Sequence, residues 1–178
     1  GLVYAGTADG VLYALSAAAG TKTWSFVAGG RIMSSPAVAN GVVYVGANDG
    51  EVYALNASTG QEEWHHAIGG FVLSSPAVAH GMVFIGADDG TLYALNATTG
   101  DQVWAAKTGG AITSSPAVAG GVIFVGSADK NIYAFGASTG AKLWSFNTKG
   151  IIGSSPTVAN GKIYIGSYNH DVYAFSLK

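Results

Sequence analysis

Tryptophan stands at positions 24, 64, 104 and 144 and nowhere else, so the indoles recur every 40 residues. The Ser-Ser-Pro triplets at 34–36, 74–76, 114–116 and 154–156 keep the same period. Gly6, Gly46, Gly86, Gly126 and Gly166 share it, as do Tyr13, Tyr53, Tyr93, Tyr133 and Tyr173. A sequence of this kind folds as stacked copies of one supersecondary unit, because a single copy cannot bury its apolar face alone. The 178 residues hold four full periods and a remainder of 18. No linker or composition shift interrupts them. The reading is one domain, residues 1–178, in units 1–40, 41–80, 81–120, 121–160 and a partial 161–178.

Each period divides into four short segments. Across the end of the first unit and the second these read Ser34–Ala39, Gly41–Gly46, Glu51–Asn56 and Gln61–Ala67. They are rich in β-branched and aromatic residues and predict strands. Asn48-Asp49-Gly50 and its copies supply tight hairpins, and Ser58-Thr59-Gly60 a slightly longer turn. Segments of about six residues between Gly and Pro are too short for a helical solenoid. Val42-Val43-Tyr44-Val45 and Val122-Ile123-Phe124-Val125 do not alternate, so both faces of each sheet are expected to be covered. Four antiparallel strands per 40 residues, sandwiched between like neighbours, predict a blade of an all-β propeller, about 4.5 blades in this chain.

The stretch Ala54-Leu55-Asn56-Ala57-Ser58-Thr59-Gly60-Gln61-Glu62-Glu63-Trp64 resembles the tryptophan-docking repeat of the PQQ-like, quinoprotein-type propeller family. Ser74-Ser75-Pro76-Ala77-Val78 is similar to that family's innermost strand. The resemblance covers the whole chain. It implies that Trp24, Trp64, Trp104 and Trp144 dock on the adjoining blade against a glycine backbone, with Gly6, Gly46, Gly86, Gly126 and Gly166 as the expected glycines of that docking. The family's turn Asp is replaced by Ser16, Asn56, Asn96 and Gly136. Asn56-Ala57-Ser58 and Asn96-Ala97-Thr98 are formal N-glycosylation acceptors on that turn.

The array is expected to be open. If Ser34–Ala39 is the innermost strand, the first unit lacks that strand and the last lacks its outermost one. The expected strands are then 3, 4, 4, 4 and 3 along the chain, and the two ends do not complement each other. A ring of six to eight blades needs about 240–320 residues at this period. Exposed strand edges and an uncovered blade face favour association. The sequence therefore predicts a fragment of a larger ring, a ring completed by other chains, or a filament, with contacts through residues 1–28 and 153–178. Gly at position 1 and the absence of a leader pattern lead us to expect a processed chain or a piece of a longer one.

Chemistry is sparsely provided. Charged residues make up 10% of the chain, far below the usual quarter, and the formal charge is −2. That balance speaks against nucleic acid as a partner, and no apolar run reaches the length of a membrane span. Cysteine is absent, which excludes disulfides and thiolate chemistry. It also excludes the vicinal disulfide that the resemblance associates with quinone enzymes. Asp9, Asp49, Asp89 and Asp129 follow the repeat as turn residues, whereas a catalytic carboxylate is expected to break it. The adjacent His65 and His66 are expected to point to opposite faces of a strand, and no loop offers the six oxygens a calcium ion wants. The expected catalytic, cofactor and metal residues are none. Phe71-Val72-Leu73 is the most apolar crossing between units and a candidate contact patch. The leading expectation is a non-catalytic scaffold or self-assembling protein, with protein partners and no cofactor. By resemblance to non-enzymatic members such as the outer-membrane assembly lipoprotein, it would be extracytoplasmic. A fragment of a quinoprotein dehydrogenase and a ligand-sensing extracytoplasmic domain are the alternatives.

Overall fold

The computed structural model describes residues 1–177, as 18 strands in five sheets without a helix. The first sheet is β1 (Leu2–Gly6), β2 (Val11–Ser16) and β3 (Lys22–Val27). The second is β4 (Ala37–Ala39), β5 (Val42–Gly46), β6 (Glu51–Asn56) and β7 (Glu62–Ala67). The third is β8 (Ala77–Ala79), β9 (Met82–Gly86), β10 (Thr91–Asn96) and β11 (Gln102–Lys107). The fourth is β12 (Ala117–Ala119), β13 (Val122–Gly126), β14 (Asn131–Gly136) and β15 (Lys142–Asn147). The fifth is β16 (Thr157–Ala159), β17 (Lys162–Gly166) and β18 (Val172–Ser176). Every sheet is an antiparallel meander in chain order, so each is one blade and the chain is an open arc of a β-propeller.

The innermost strands are shorter than the sequence suggests, starting at Ala37, Ala77, Ala117 and Thr157 rather than at the serines. The reason lies in the triplet. Pro36 and its copies have no N–H to give a ladder, and the serines are engaged elsewhere. Ser34 Oγ donates to the Gly46 carbonyl (2.8 Å) and accepts from the Gly46 amide (3.0 Å). The amide of Ser35 donates to Ser75 Oγ (2.8 Å), that of Ser75 to Ser115 Oγ (2.9 Å) and that of Ser115 to Ser155 Oγ (3.0 Å). The first serine thus ties the strand to its own blade and the second links successive blades.

The outer two strands of each of the first four blades meet through a bulge. Ala54 pairs with Trp64 and the next residue, Leu55, with Glu62, which leaves Glu63 extra. Thr23, Val103 and Leu143 are the extra residues in the other blades. The bulge bends the strand just where the indole leaves it. The core is four layers, one between each pair of neighbouring blades.

Candidate interaction surface

The four layers are built on one plan, and it defines what the two ends lack. Trp24, Trp64 and Trp104 are buried, and each donates its indole N–H to a carbonyl of the following blade: Ala57 (3.0 Å), Ala97 (3.1 Å) and Ala137 (2.9 Å). Behind each ring stands an aromatic of its own blade, Tyr4, Tyr44 or Phe84, with centroids 5.6–5.9 Å away. The Tyr4 and Tyr44 hydroxyls donate to the same Ala57 and Ala97 carbonyls.

The glycine beneath each indole is Gly60, Gly100 or Gly140, from the turn ahead of the outermost strand. A Cβ on Gly60 would stand 2.6 Å from Trp24 ring carbons, and one on Gly100 2.8 Å from those of Trp64. These glycines also hold a positive φ of 73° and 78°, so two separate demands fix them. The strand glycines have a different task. Gly46 lies under Val72, and Gly6, Gly86 and Gly126 lie under Ile32, Ile112 and Ile152, each from the crossing into the next blade. Gly166 has only Ser154 nearby among the described residues. The sequence reading paired the two most regular features, Trp and strand glycine. The structure pairs Trp with the turn glycine, which was visible in Thr-Gly-x-x-x-Trp. It also divides the crossing 71–73, where Val72 is fully buried and Phe71 is exposed.

A second clasp joins the blades through Asp and Tyr. Asp49 Oδ2 accepts from the Tyr53 hydroxyl (2.6 Å), which in turn accepts from the Gly29 amide of the preceding crossing. Asp89 and Tyr93 meet at 3.1 Å, and Asp129 bonds Tyr133 and accepts from the Gly109 amide at 2.8 Å. Burial pushes the Tyr53 phenol up to about 12, helped by its bond to Asp49. Burial works against the Asp89 and Asp129 carboxylates, but donated hydrogen bonds outweigh it. Those from Thr91, Lys107 and Tyr93 hold Asp89 below its ordinary value, and those from Tyr133, Asn131 and Gly109 do so for Asp129. These acids are therefore fastened in interblade contacts.

The histidines do not converge. His65 Nδ1 lies 2.8 Å from Glu62 Oε1 on an exposed strand, and His66 stands opposite Val52. Among the described residues no three His, Cys, Asp or Glu side chains are grouped to hold a metal ion, and no helix is long and apolar enough to cross a membrane. Asn56 and Asn96 sit half-buried at the turn. Each Oδ1 accepts two amides, from Ser58 and Thr59 (3.1 and 3.2 Å) and from Thr98 and Thr99 (2.8 and 3.1 Å). They act as the turn-closing oxygen for which an Asp is the usual alternative.

At the ends the plan is incomplete. Trp144 is 36% exposed, against 9% for Trp104. It rests on Phe124 (6.0 Å) and Phe175 (5.4 Å), with Phe146 and Tyr173 extending the cluster. Leu143 and Phe146 are exposed beside it. At the other end the seat at Gly20 has nothing within 4 Å, and Val3 is 52% exposed on the uncovered face.

The fold and its fastening define a β-propeller arc of PQQ-like, tryptophan-docked repeats. The model of the family described as outer membrane protein assembly factor BamB matches residues 8–112 and 99–178, and the chain belongs to that family. Among solved structures, BamB from Moraxella catarrhalis is 24% identical with a TM-score of 0.86, covering 98% of this chain and 54% of that one. The computationally designed Ika8 protein gives 22% identity, a TM-score of 0.86, and coverage of 98% and 55%. The designed Ika4 protein gives 21%, 0.74, and coverage of 85% and 94%. This chain thus spans about half the length of the first two. No curated protein matches it.

Proposed function

We propose that the chain is a non-catalytic, extracytoplasmic scaffold that works through protein–protein contacts and associates with itself through its two end blades. The observation that carries this reading is the apolar surface exposed at both ends of the described residues. One end exposes Trp144, Leu143 and Phe146, and the other exposes Val3 with the turn glycine Gly20 uncovered. The aspartates described above are taken up by turns and interblade clasps and the histidines do not converge, so among the described residues no set of groups converges on a substrate. The family description, an assembly factor, supports a role in protein contacts and an extracytoplasmic setting. Sedimentation velocity over a range of concentrations tests the self-association. A growing population of dimers or larger particles is expected. A single copy at every concentration up to the micromolar range refutes the self-association.

A further inference from the structure

Two neighbouring residues of the third blade depart from the repeat together, and both line one cavity. Position 80 is a histidine where the other units have Asn40, Gly120 and Asn160. Position 82 is a methionine where they have Leu2, Val42, Val122 and Lys162. His80-Gly81 is the two-residue turn between β8 and β9, and its flanks Ala79 and Met82 are paired. His80 holds a φ of 53° there, a left-handed conformation that the other turns give to Asn40, Gly120 and Asn160 and that glycine adopts at less cost. Between the third and fourth blades, His80 and Met82 line a cavity of about 210 Å³ together with Gly121, Ala137 and Ser138. A methionine in place of valine often serves to fill a gap in a core. Here the space beside it stays open, with Met82 half-buried at the edge of the layer and His80 exposed above it. Among the described residues only His65 has its ring in a hydrogen bond, so the ring nitrogens of His80 are uncommitted.

We propose that His80 and Met82 bind a soft monovalent cation of the copper(I) class at this cavity. An imidazole nitrogen suits several transition metals, but a thioether sulfur selects copper(I) over the harder divalent ions. Zinc takes four donors and calcium six or more oxygens, and the rest of the lining cannot supply them. Gly121 and Ala137 have no donor side chain, and Ser138 has a single hydroxyl. Their backbone is engaged as well. The Gly121 carbonyl accepts from the Ala137 amide (2.9 Å), and the Ala137 carbonyl from the Trp104 indole (2.9 Å). A monovalent ion with a filled d shell makes do with about two or three donors. The cavity offers that number: one nitrogen, one sulfur, and the Ser138 hydroxyl or a water. The preceding layer has Asn40 and Val42 at the same places and therefore no sulfur, so the site belongs to one layer alone. It lies between interior blades and is independent of whether the chain associates with itself.

The probe is silver(I), a redox-inert stand-in for copper(I), added as the nitrate in chloride-free buffer to the full chain labelled with ¹³C at its methionine methyls. The chain has two methionines, so one reporter, Met82, sits at the site and the other, Met33, lies in the crossing into the second blade. The expected result is a shift of the Met82 methyl resonance that saturates at one equivalent, with Met33 unmoved. One equivalent of zinc(II) should leave the Met82 methyl where it was. Two variants take the repeat's own residues, so the fold has a precedent for each: Met82→Val, as at position 42, and His80→Asn, as at position 40. Competition with a chelator of known silver affinity should show binding at least about tenfold weaker in each, since even an outer partner of a metal ligand is worth about 10–100-fold. His65→Ala with His66→Ala should leave the affinity unchanged. A Met82 methyl that does not move overturns the proposal, and this readout needs only the unaltered chain. So does a parallel shift of Met33, a zinc shift as large as that of silver, an affinity unchanged in either variant, or one lost with His65 and His66 instead.

Discussion

β5, β9 and β13 each bury four of their five residues, whereas β1 and β17, at the same place in the repeat, expose every second one. The sequences are nearly interchangeable: Val-Val-Tyr-Val-Gly in the interior, Leu-Val-Tyr-Ala-Gly and Lys-Ile-Tyr-Ile-Gly at the ends. Burial in this array is therefore set by whether a neighbouring blade exists, and only secondarily by residue type. β1 leaves Val3 and Ala5 uncovered on one face, and β17 leaves Lys162 and Tyr164 uncovered on the other. Lys162 is the one charged residue at a position otherwise held by Leu2, Val42, Met82 and Val122. A charge fits there because that face is uncovered among the described residues.

The largest test of this comparison removes an indole from each kind of layer. Trp104→Ala should lower the unfolding free energy by about 3–5 kcal/mol, as expected for a buried aromatic with a lost hydrogen bond. Trp144→Ala should cost only about 1–2 kcal/mol, since a large part of that ring is already wet and makes no such bond. Urea denaturation of the two variants measures the gap. Equal losses would mean that Trp144 is as well covered in solution as the interior rings.

A sharper test uses glycines of equal backbone geometry. Gly20 and Gly140 both have φ of 68°, but only Gly140 has a Trp ring over it. Gly20→Ala should cost about 1–2 kcal/mol, the strain of a left-handed L-residue. Gly140→Ala adds a collision with Trp104 and should cost about 2–4 kcal/mol. The difference between the two melts isolates the indole seat from the turn.

The period, four strands per blade, the bulk of the fastening and the open ends were legible because each recurs in register, and a recurrence cannot be read as a local accident. The roles of individual glycines were less legible. Gly46 and Gly60 look alike in sequence, and only the placement of Val72 and Trp24 distinguishes them. The start of each innermost strand was misjudged by three residues, because Ser34 and Ser35 look like strand residues until their hydroxyls are seen bridging Gly46 and the next blade. The aromatic cluster around Trp144 was not legible. It depends on Phe146 and Phe175 meeting across two blades 5.3 Å apart, and no local pattern reports such a meeting.

The Asp–Tyr clasps make the interior layers sensitive to pH at both extremes. Asp89 and Asp129 have folded pKa values below their unfolded ones, so their contribution is complete above about pH 4 and drains away as pH falls through the folded values. Tyr53 has the opposite sense. Its contribution is complete below about pH 10 and is lost as pH rises toward the folded value of about 12. The urea midpoint should fall on both limbs. Asp129→Asn should flatten the acid limb and Tyr53→Phe the alkaline limb, each leaving the other unchanged. Both carboxylates are part-buried and keep some contact with water, so the acid effect is modest. An acid limb that Asp129→Asn leaves as steep as before would detach the clasp from stability.

The smallest expected effects again contrast a complete blade with an incomplete one. Gly10, Gly50 and Gly90 hold the hairpin position with φ of 80–85°, but Lys130 and His170 hold it at 75° and 74°. A left-handed L-residue costs about 1–2 kcal/mol, and glycine returns about 0.5–1 of that as unfolded-chain entropy. Lys130→Gly should therefore stabilise the chain by about 0.5–1 kcal/mol. The Lys130 carbonyl also accepts from the Thr148 amide (2.9 Å) and hydroxyl (3.0 Å), so this turn is tied to its outermost strand and must unfold with the blade. Among the described residues the His170 turn has no outermost strand bonded to it, and a turn held so loosely opens on its own below the global transition. The same relief of strain at His170→Gly should then slow amide exchange in β17 and β18 while leaving the urea midpoint almost unmoved. A midpoint shift as large as that of Lys130→Gly would show that the last three strands unfold together with the interior, and the contrast between the two regions would have to be redrawn.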